Sequence, residues 1–228
     1  MKGVAAIVVA GGTGSRLKSK VHKPFVRLAG RPLLAWTLGA IEKVSRVSRI
    51  VLVVHPDDIK AAAGLVRRAK LRKVAMIVPG GTTRMESVAN GLKALPEDTS
   101  WVAVHDGARP LIAPEIFERT IVAARQYGAA IVAVPVVPTI KSAKDGWVTG
   151  TLDRRSLWAV QTPQIFDRRL LSQAHKEGKM RGLQATDDAA LVESFGRKVW
   201  VVEGAHANIK VTTPEDVVIA EALLKQKR

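Results

Sequence analysis

The 228-residue sequence contains no cysteine. Disulfides, cysteine-based zinc sites and thiol nucleophiles are therefore excluded, and a cytoplasmic location is expected. The sequence also lacks the run of about 18 apolar residues that a membrane-spanning helix needs. The short apolar run after Lys2 has no small-residue cleavage site behind it, so no signal peptide is expected. Internal repeats, low-complexity tracts and linkers are lacking too, and we treat residues 1–228 as one domain.

Aromatic residues make up only 4% of the sequence, whereas the formal net charge is +16, from 36 Lys and Arg against 20 Asp and Glu. This surplus suits either nucleic acid or a polyanionic small substrate as a ligand. A solvated basic surface is the simpler explanation of the same numbers. No basic stretch carries the interleaved aromatics on which bases stack. A non-catalytic RNA-binding domain therefore stays only as an alternative, and no dedicated nucleic-acid partner is expected.

Short apolar, β-branched runs alternate with helical patterns along the chain. The apolar runs are continuous, which is typical of strands that are covered on both faces. This rhythm predicts an α/β fold in which helices lie on both faces of a mainly parallel, twisted sheet. The predicted strands are 4–10, 49–54, 74–78, 101–105, 130–134 and 199–203. The predicted helices are 32–44, 56–69, 84–95, 114–127, 167–177, 187–195 and 214–225.

One segment, at about residues 137–160, breaks this rhythm. Asp145-Gly146 is a hairpin turn signal between two short runs that carry Trp147 and Trp158. We interpret the segment as a β-arm that protrudes from the domain. Its tryptophans either form a surface for a partner or pack back on the parent domain, and the pattern alone favours neither.

The first predicted strand runs directly into a glycine-rich loop, residues 11–14, which is followed by Arg16 and Lys23. Backbone N–H groups together with two cations suit a phosphate chain. The dinucleotide fingerprint G-x-G-x-x-G is not matched, because Leu17 stands where its third glycine belongs, and no P-loop Gly-Lys-Ser or Gly-Lys-Thr occurs. A tight turn alone would also account for the glycines.

A second motif, residues 80–88 (GGTTRMESV), follows the third predicted strand. Its paired glycines let a flat base approach closely, and Ser87 offers a hydroxyl group. The same residues also fit a well-capped helix start, since Thr83 and Glu86 have the spacing of a capping box. The motif is therefore compatible with both a base pocket and a purely structural role.

A third motif, residues 105–110 (HDGARP), ends the fourth predicted strand. Ligands of α/β sheets bind at this edge, so the Asp106 carboxylate is a candidate for a hydrated Mg²⁺ or a ribose hydroxyl. An internal ion pair between Asp106 and Arg109 is the structural alternative. The sequence shows no Ser-His-Asp arrangement, and its five histidines lack metal-ligand spacing.

The order of these and later motifs resembles the 2-C-methyl-D-erythritol 4-phosphate cytidylyltransferase family of the non-mevalonate isoprenoid pathway. The motifs are AGGTGSR…K, GGTTRMESV, VHDGARP, PTIK…LDRRSLW, QTPQIF, TDDAALVE and NIKVTTPED, and they span nearly the whole chain. The resemblance implies a Rossmann-like nucleotidyltransferase fold. It also implies a reaction in which CTP and methylerythritol phosphate give the CDP-linked alcohol and pyrophosphate, with Mg²⁺. A cytidylyltransferase for ribitol 5-phosphate or another polyol phosphate has the same loops and stays open as an alternative.

The resemblance also implies roles for individual residues. Nucleotide contacts are implied for Ala10, Gly11, Gly12, Gly14, Gly81, Thr82, Ser87, Asp106 and Ala108. Acceptor contacts are implied for Asp106, Arg109, Thr139, Arg154, Thr162, Thr186 and Lys210. The implied catalytic cations are Arg16, Lys23, Arg154 and Lys210, and Asp106 is the implied metal-side carboxylate. In the family the arm dimerises and brings the arginine matching Arg154 to the neighbouring site, so a homodimer is expected.

The chain departs from the usual pattern of the family at two places. His22-Lys23-Pro24 stands where the family usually carries Pro-Lys-Gln, and proline removes a backbone donor and a side-chain amide there. Ala207 precedes Asn208 in place of a residue that is often charged. Any metal or acceptor contact from position 207 is therefore absent.

Overall fold

The computed structural model of the protein describes residues 3–12, 14, 17 and 21–226. These residues form eleven strands and seven α-helices. The strands are β1 (Val4–Ala10), β2 (Arg27–Leu28), β3 (Arg31–Pro32), β4 (Val47–Val54), β5 (Val74–Pro79), β6 (Trp101–Asp106), β7 (Ala129–Pro135), β8 (Lys141–Lys144), β9 (Trp147–Thr151), β10 (Trp158–Asp167) and β11 (Trp200–Glu203). The helices are α1 (Leu33–Glu42), α2 (Ile59–Arg68), α3 (Arg84–Lys93), α4 (Pro114–Tyr127), α5 (Arg168–Met180), α6 (Asp188–Glu193) and α7 (Pro214–Gln226).

Seven strands form one sheet in the order β11-β7-β10-β6-β1-β4-β5. The pairings are parallel, as predicted, except that β10 is antiparallel to both of its neighbours. The sequence analysis missed β10 because its residues were assigned partly to the arm. Pro163 also argues against a central strand. The structure places this proline at a register shift between Val160 and Gln164, where the ladder is interrupted.

Helices cover both faces of the sheet, in agreement with the prediction. Helices α1, α2 and α4 share a buried cluster with Val8 of β1. Helices α3, α5 and α6 share a second cluster with Ile7. Because successive strand residues point to opposite faces, an uninterrupted apolar run supplies both clusters. Among the described residues, every helix is too short or too polar to cross a lipid bilayer.

The predicted arm is present as a two-stranded sheet of β8 and β9, separate from the main sheet. It turns at Asp145 and Gly146, which both have positive φ, as the common two-residue hairpin turn requires. Trp147 is 80% exposed on this hairpin. Trp158 is 40% exposed and begins β10, where it pairs with Pro135 of β7. The last residues of the predicted 137–160 segment therefore belong to the main sheet.

Two helix glycines form a matched pair for testing how closely α3 packs on the sheet. At Gly91 in α3, an added Cβ would lie 2.5 Å from Ile7 Cγ2, whereas nothing lies within 4 Å of the same position at Gly39 in α1. We expect Gly91→Ala to lower the free energy of unfolding by about 1 kcal/mol or more, because overpacking outweighs the gain in helix propensity. Gly39→Ala should raise it by about 0.5 kcal/mol or more. Urea denaturation of both variants measures these changes, and a shift of the same sign in both would contradict the close packing.

Candidate active site

A cavity of about 390 Å³ opens at the carboxyl ends of β1 and β6. Its walls are the glycine loop after β1, the start of α3, the end of β6 and the segment before α7. In open α/β sheets this edge is where ligands bind, since the strand ends and their loops converge there. The cavity therefore lies where the sequence analysis placed the site.

Most of the predicted site residues line this cavity. They are Ala10, Gly11, Gly12, Gly14, Lys23, Gly81, Thr82, Ser87, Asp106, Ala108 and Lys210. Arg16, the other predicted cation of the glycine loop, lies outside the described residues. The structure thus brings together all nine residues with predicted nucleotide contacts, and their roles stay predictions.

The glycine loop lies directly against Lys23. Gly14 has a φ of 80°, and an added Cβ there would lie 2.6 Å from Lys23 Cβ, so only glycine fits both the backbone and the space. On one side of Lys23, His22 Nδ1 lies 2.8 Å from Asp58 Oδ2. On the other side, Pro24 is buried. The His22-Lys23-Pro24 sequence therefore anchors the backbone on both sides of the lysine.

The second motif is both capped and pocket-lining. Thr83 is the N-cap of α3 and forms the predicted capping box with Glu86. The Ser87 hydroxyl accepts from Gly81 N at 3.1 Å and donates to Thr83 O at 3.0 Å. An added Cβ at Gly81 would collide with Glu86 Cβ. These contacts fix the backbone beside Gly81 and Thr82, which face the cavity. The base contact predicted for this wall stays a prediction.

Asp106 is the electrostatic centre of the cavity. Lys210 Nζ lies 2.9 Å from its Oδ2, Arg109 Nε lies 3.6 Å from Oδ2, and Arg84 Nε lies 3.7 Å from Oδ1. Burial raises the pKa of Asp106, but the charges of Lys210, Arg84 and Arg109 outweigh burial and lower the pKa to about 2. The carboxylate is thus ionised at neutral pH. The internal Asp106–Arg109 pair exists, but it is one of three pairs.

Arg84 is the charged residue of the cavity wall that the sequence analysis did not predict as a site residue. It begins α3, its side chain is 26% exposed, and its Nη1 lies 2.7 Å from Asp188 Oδ2. Burial lowers the pKa of Arg84, but Asp188 and Asp106 raise it above its ordinary value overall. A cation in the first turn of a helix is disfavoured by the helix dipole. That mismatch, within a motif already singled out, is the sequence signal that points to it.

Two predicted acceptor residues, Thr162 and Arg109, lie buried behind Asp106 and support it. Thr162 Oγ1 accepts from Asp106 N at 3.0 Å and lies 3.0 Å from His105 Nδ1. Burial lowers the pKa of His105 to about 4, so its ring is neutral at pH 7. Because Arg109 O, 3.4 Å from Nε2, can only accept, the ring proton lies on Nε2 and Thr162 donates to Nδ1. Arg109 Nη1 donates to Asn208 O at 2.8 Å. Acceptor contacts from these residues stay predictions.

The remaining predicted acceptor residues lie away from the cavity wall of their own chain. Thr139 and Arg154 are exposed in the arm segment, where Arg154 Nη1 donates to Val137 O. Thr186 is exposed and precedes Asp187, the N-cap of α6. Within the described chain, the structure does not bring these three residues together with Asp106.

The described residues contain no cluster of three or more His, Asp or Glu side chains placed to hold a metal ion. The cavity wall offers the Asp106 carboxylate. Magnesium is commonly held by one or two carboxylates together with substrate phosphates. A single carboxylate beside a glycine loop fits that kind of site, and it does not fit a cation held by protein ligands alone.

Lys23 and Lys210 line the cavity beside the glycine loop, an arrangement suited to anions, and the cavity lies where α/β sheets bind nucleotides. Fold and site together are those of a Rossmann-like nucleotidyltransferase. The model of the IspD family, 2-C-methyl-D-erythritol 4-phosphate cytidylyltransferase, matches residues 4–226. The chain belongs to this family.

Curated relatives and solved structures agree with this assignment. The chain is 45% identical to the 2-C-methyl-D-erythritol 4-phosphate cytidylyltransferase of Desulforamulus reducens, over 100% of this chain and 98% of the relative. It is 47% identical to that of Pelotomaculum thermopropionicum, over 100% and 97%. The crystal structure of 4-diphosphocytidyl-2C-methyl-D-erythritol synthase from Anaerococcus prevotii matches with a TM-score of 0.87 at 35% identity, over 98% of this chain and 96% of the other. The Thermus thermophilus cytidylyltransferase matches with a TM-score of 0.80 at 33% identity, over 96% and 98%.

Proposed function

We propose that the protein transfers the cytidylyl group of CTP to 2-C-methyl-D-erythritol 4-phosphate and releases pyrophosphate, in isoprenoid precursor biosynthesis. Membership of the family supports this reaction. The observation that carries it is the arrangement of the cavity. Lys23 lies against the glycine loop, whereas Lys210 pairs with Asp106 at the end of β6. Both substrates carry phosphate, and these two lysines would give each of them its own cationic subsite.

The reaction requires the side chains to position the substrates and to stabilise charge. An oxygen of the acceptor phosphate attacks the α-phosphorus of CTP, and the bond from this phosphorus to the bridging oxygen of the β-phosphate breaks. The nucleophile is already an anion and pyrophosphate leaves as one, so no proton has to move. Catalysis then rests on in-line positioning and on stabilising charge in the transition state. Lys23, beside the loop, would act on the triphosphate, and Lys210 would orient the acceptor.

Asp106 contributes in two ways under this proposal. Its carboxylate holds the Lys210 ammonium group at 2.9 Å and so fixes the direction of that cation. It is also the residue that would hold Mg²⁺ together with the phosphates. When bound, the metal neutralises charge on the triphosphate and polarises its oxygens. Thr162 supports the Asp106 backbone from behind.

We further propose a homodimer through the β-arm and a location in the cytoplasm. Trp147 is 80% exposed on the hairpin, a large apolar surface of the kind that interfaces cover. Arg154 lies outside the cavity wall of its own chain, so any role in transfer requires the arm to reach another site. The cysteine-free composition suits the cytoplasm.

Steady-state pyrophosphate release from CTP and Mg²⁺ tests the proposed reaction. We expect kcat/KM to be highest with 2-C-methyl-D-erythritol 4-phosphate. The unphosphorylated alcohol is the control acceptor, and we expect no turnover with it because the attacking oxygen belongs to the phosphate. Faster turnover with ribitol 5-phosphate would select the other polyol phosphate reaction instead. Tight RNA binding with a steep salt dependence, and no pyrophosphate release with either acceptor, would select the RNA-binding alternative.

A further inference from the structure

A chain of polar side-chain contacts runs from α5 through α6 and α3 to the cavity. His175 Nε2 lies 2.8 Å from Asp188 Oδ1, and Arg84 Nη1 lies 2.7 Å from Asp188 Oδ2. Arg84 Nε in turn lies 3.7 Å from Asp106 Oδ1. The side chains of His175 and Asp188 are only 5% and 1% exposed. Three helices are thereby joined to the central carboxylate of the cavity.

Asp188 is held on every side. Each of its carboxylate oxygens has a partner, and its backbone N–H donates to Gln164 Oε1 at 3.2 Å. Burial raises the pKa of Asp188, but the hydrogen bond from His175 and the charge of Arg84 lower it overall. A carboxylate this deeply buried is costly unless it is paired and hydrogen-bonded. Arg84 is partly exposed, so water could solvate its charge without Asp188. The pair therefore serves to fix the orientation of the Arg84 guanidinium.

His175 completes the arrangement through one nitrogen. Its Nε2 faces Asp188, whereas its buried Nδ1 has no hydrogen-bond partner in the described part of the chain. Because a carboxylate oxygen only accepts, Nε2 carries a proton and donates it to Asp188. The ring therefore orients Asp188 from the side opposite Arg84.

We propose that Arg84 is a further acceptor-binding residue and that Asp188 and His175 are its positioning residues. The inference rests on the proposed function. Arg84 contacts the acceptor phosphate beside Asp106 and Lys210, and the buried pair behind it fixes the guanidinium plane. Guanidinium carries five N–H donors in a rigid fork, so donors remain for a phosphate after those at Nη1 and Nε are engaged.

The placement favours the acceptor over the triphosphate. Lys23 lies at the glycine loop, whereas Arg84 lies on the Asp106 carboxylate, which Lys210 flanks from the other oxygen. Asp188 follows Thr186 by two residues, and Thr186 is a predicted acceptor contact. The pair thus ties Arg84 to the segment on the acceptor side.

Asp188 also keeps Arg84 from covering Asp106. The guanidinium makes a 2.7 Å contact with Asp188 and only a 3.7 Å contact with Asp106. Without the Asp188 charge, the nearest remaining anion for Arg84 is Asp106. A closer pair there would neutralise the Asp106 carboxylate and withdraw the guanidinium from the acceptor. Asp188 therefore acts on transfer only through Arg84.

A double-mutant cycle tests this dependence. We expect Arg84→Ala to lower kcat/KM for 2-C-methyl-D-erythritol 4-phosphate by roughly 100-fold, as loss of a charged contact does. Asp188→Asn, which keeps the size of the side chain, should lower it roughly 10-fold and change the KM for CTP less than about 3-fold. The double variant should be no worse than Arg84→Ala alone. A purely structural role for Asp188 would instead lower activity equally with and without Arg84.

Matched variants separate positioning from folding. Asp167→Asn alters the N-cap of α5, the helix that carries His175, at a position away from the cavity, and should keep kcat/KM within about 2-fold. His175→Leu should lower kcat/KM about as much as Asp188→Asn does. His175→Gln, which retains a hydrogen-bond donor, should keep most of the activity. Unfolding free energies of all variants check that each is folded.

The outcomes that would overturn the inference are distinct from failure of the proposed function. An additive cycle in an active enzyme, or an equal loss in Asp167→Asn, would overturn the inference alone. If the wild type turns over neither polyol phosphate, the proposed function and this inference fail together.

Discussion

Lys23→Ala is expected to lower kcat for pyrophosphate release by about 100-fold or more, because one contact with transition-state charge is worth a few kcal/mol. Lys23 lies against the glycine loop, and its Cβ occupies the space that a side chain at Gly14 would need. During transfer, negative charge grows on the leaving pyrophosphate, which this cation would face. Loss of the ammonium group therefore raises the barrier more than it weakens ground-state binding, and kcat should fall further than KM for CTP rises.

Two variants accompany this measurement. Lys60→Ala removes an exposed lysine from α2, away from the cavity, and should leave kcat unchanged. Lys23→Arg retains the positive charge on a side chain of different shape, and its kcat should lie between those of the wild type and Lys23→Ala. Unchanged turnover in Lys23→Ala would reject the role assigned to this residue.

Arg154→Ala is expected to lower turnover to a similar degree, roughly 100-fold, because a charged contact with the acceptor is lost. The structure adds to this prediction, because Arg154 donates to Val137 O in its own arm and does not line the cavity of its own chain. A large loss of turnover in a variant that remains folded would therefore support contact between Arg154 and the site of a second subunit. Arg155→Ala is a suitable control, because Arg155 is exposed beside it and pairs with Asp153.

Mixing two inactive variants tests whether the site is shared. In a mixed dimer of Arg154→Ala and Lys23→Ala subunits, one site lacks both cations and the other has both. With free exchange in an equal mixture, we expect about a quarter of the wild-type activity, from the mixed dimers of a two-fold symmetric assembly. Either variant alone should have about 1% or less. Exchange is shown independently by subunits carrying different tags. Exchange without recovery of activity would contradict a site shared through the arm.

The sequence predicted most elements of the fold because their signals are local. Strand β1 and helix α4 have the bounds that were predicted, since an uninterrupted apolar run and a Pro–Gly pair mark their ends. The capping box of Thr83 and Glu86 is likewise a matter of spacing along one helix. Strand β10 was missed because its position in the sheet depends on partners far along the chain, and Pro163 gave the opposite local signal.

In the candidate site, too, some features are readable from the sequence and others depend on the tertiary structure. The sequence by itself predicted which loops line the cavity, because their glycines and their cations at fixed spacing are recognisable one motif at a time. It also determined the family, through the order of those motifs. Only the tertiary structure decided how the charges are partnered. Arg84 and Asp188 are 104 positions apart, and their 2.7 Å contact requires α3 and α6 to pack on the same face of the sheet. Ion pairs of this kind arise from packing, which leaves no local pattern in the sequence.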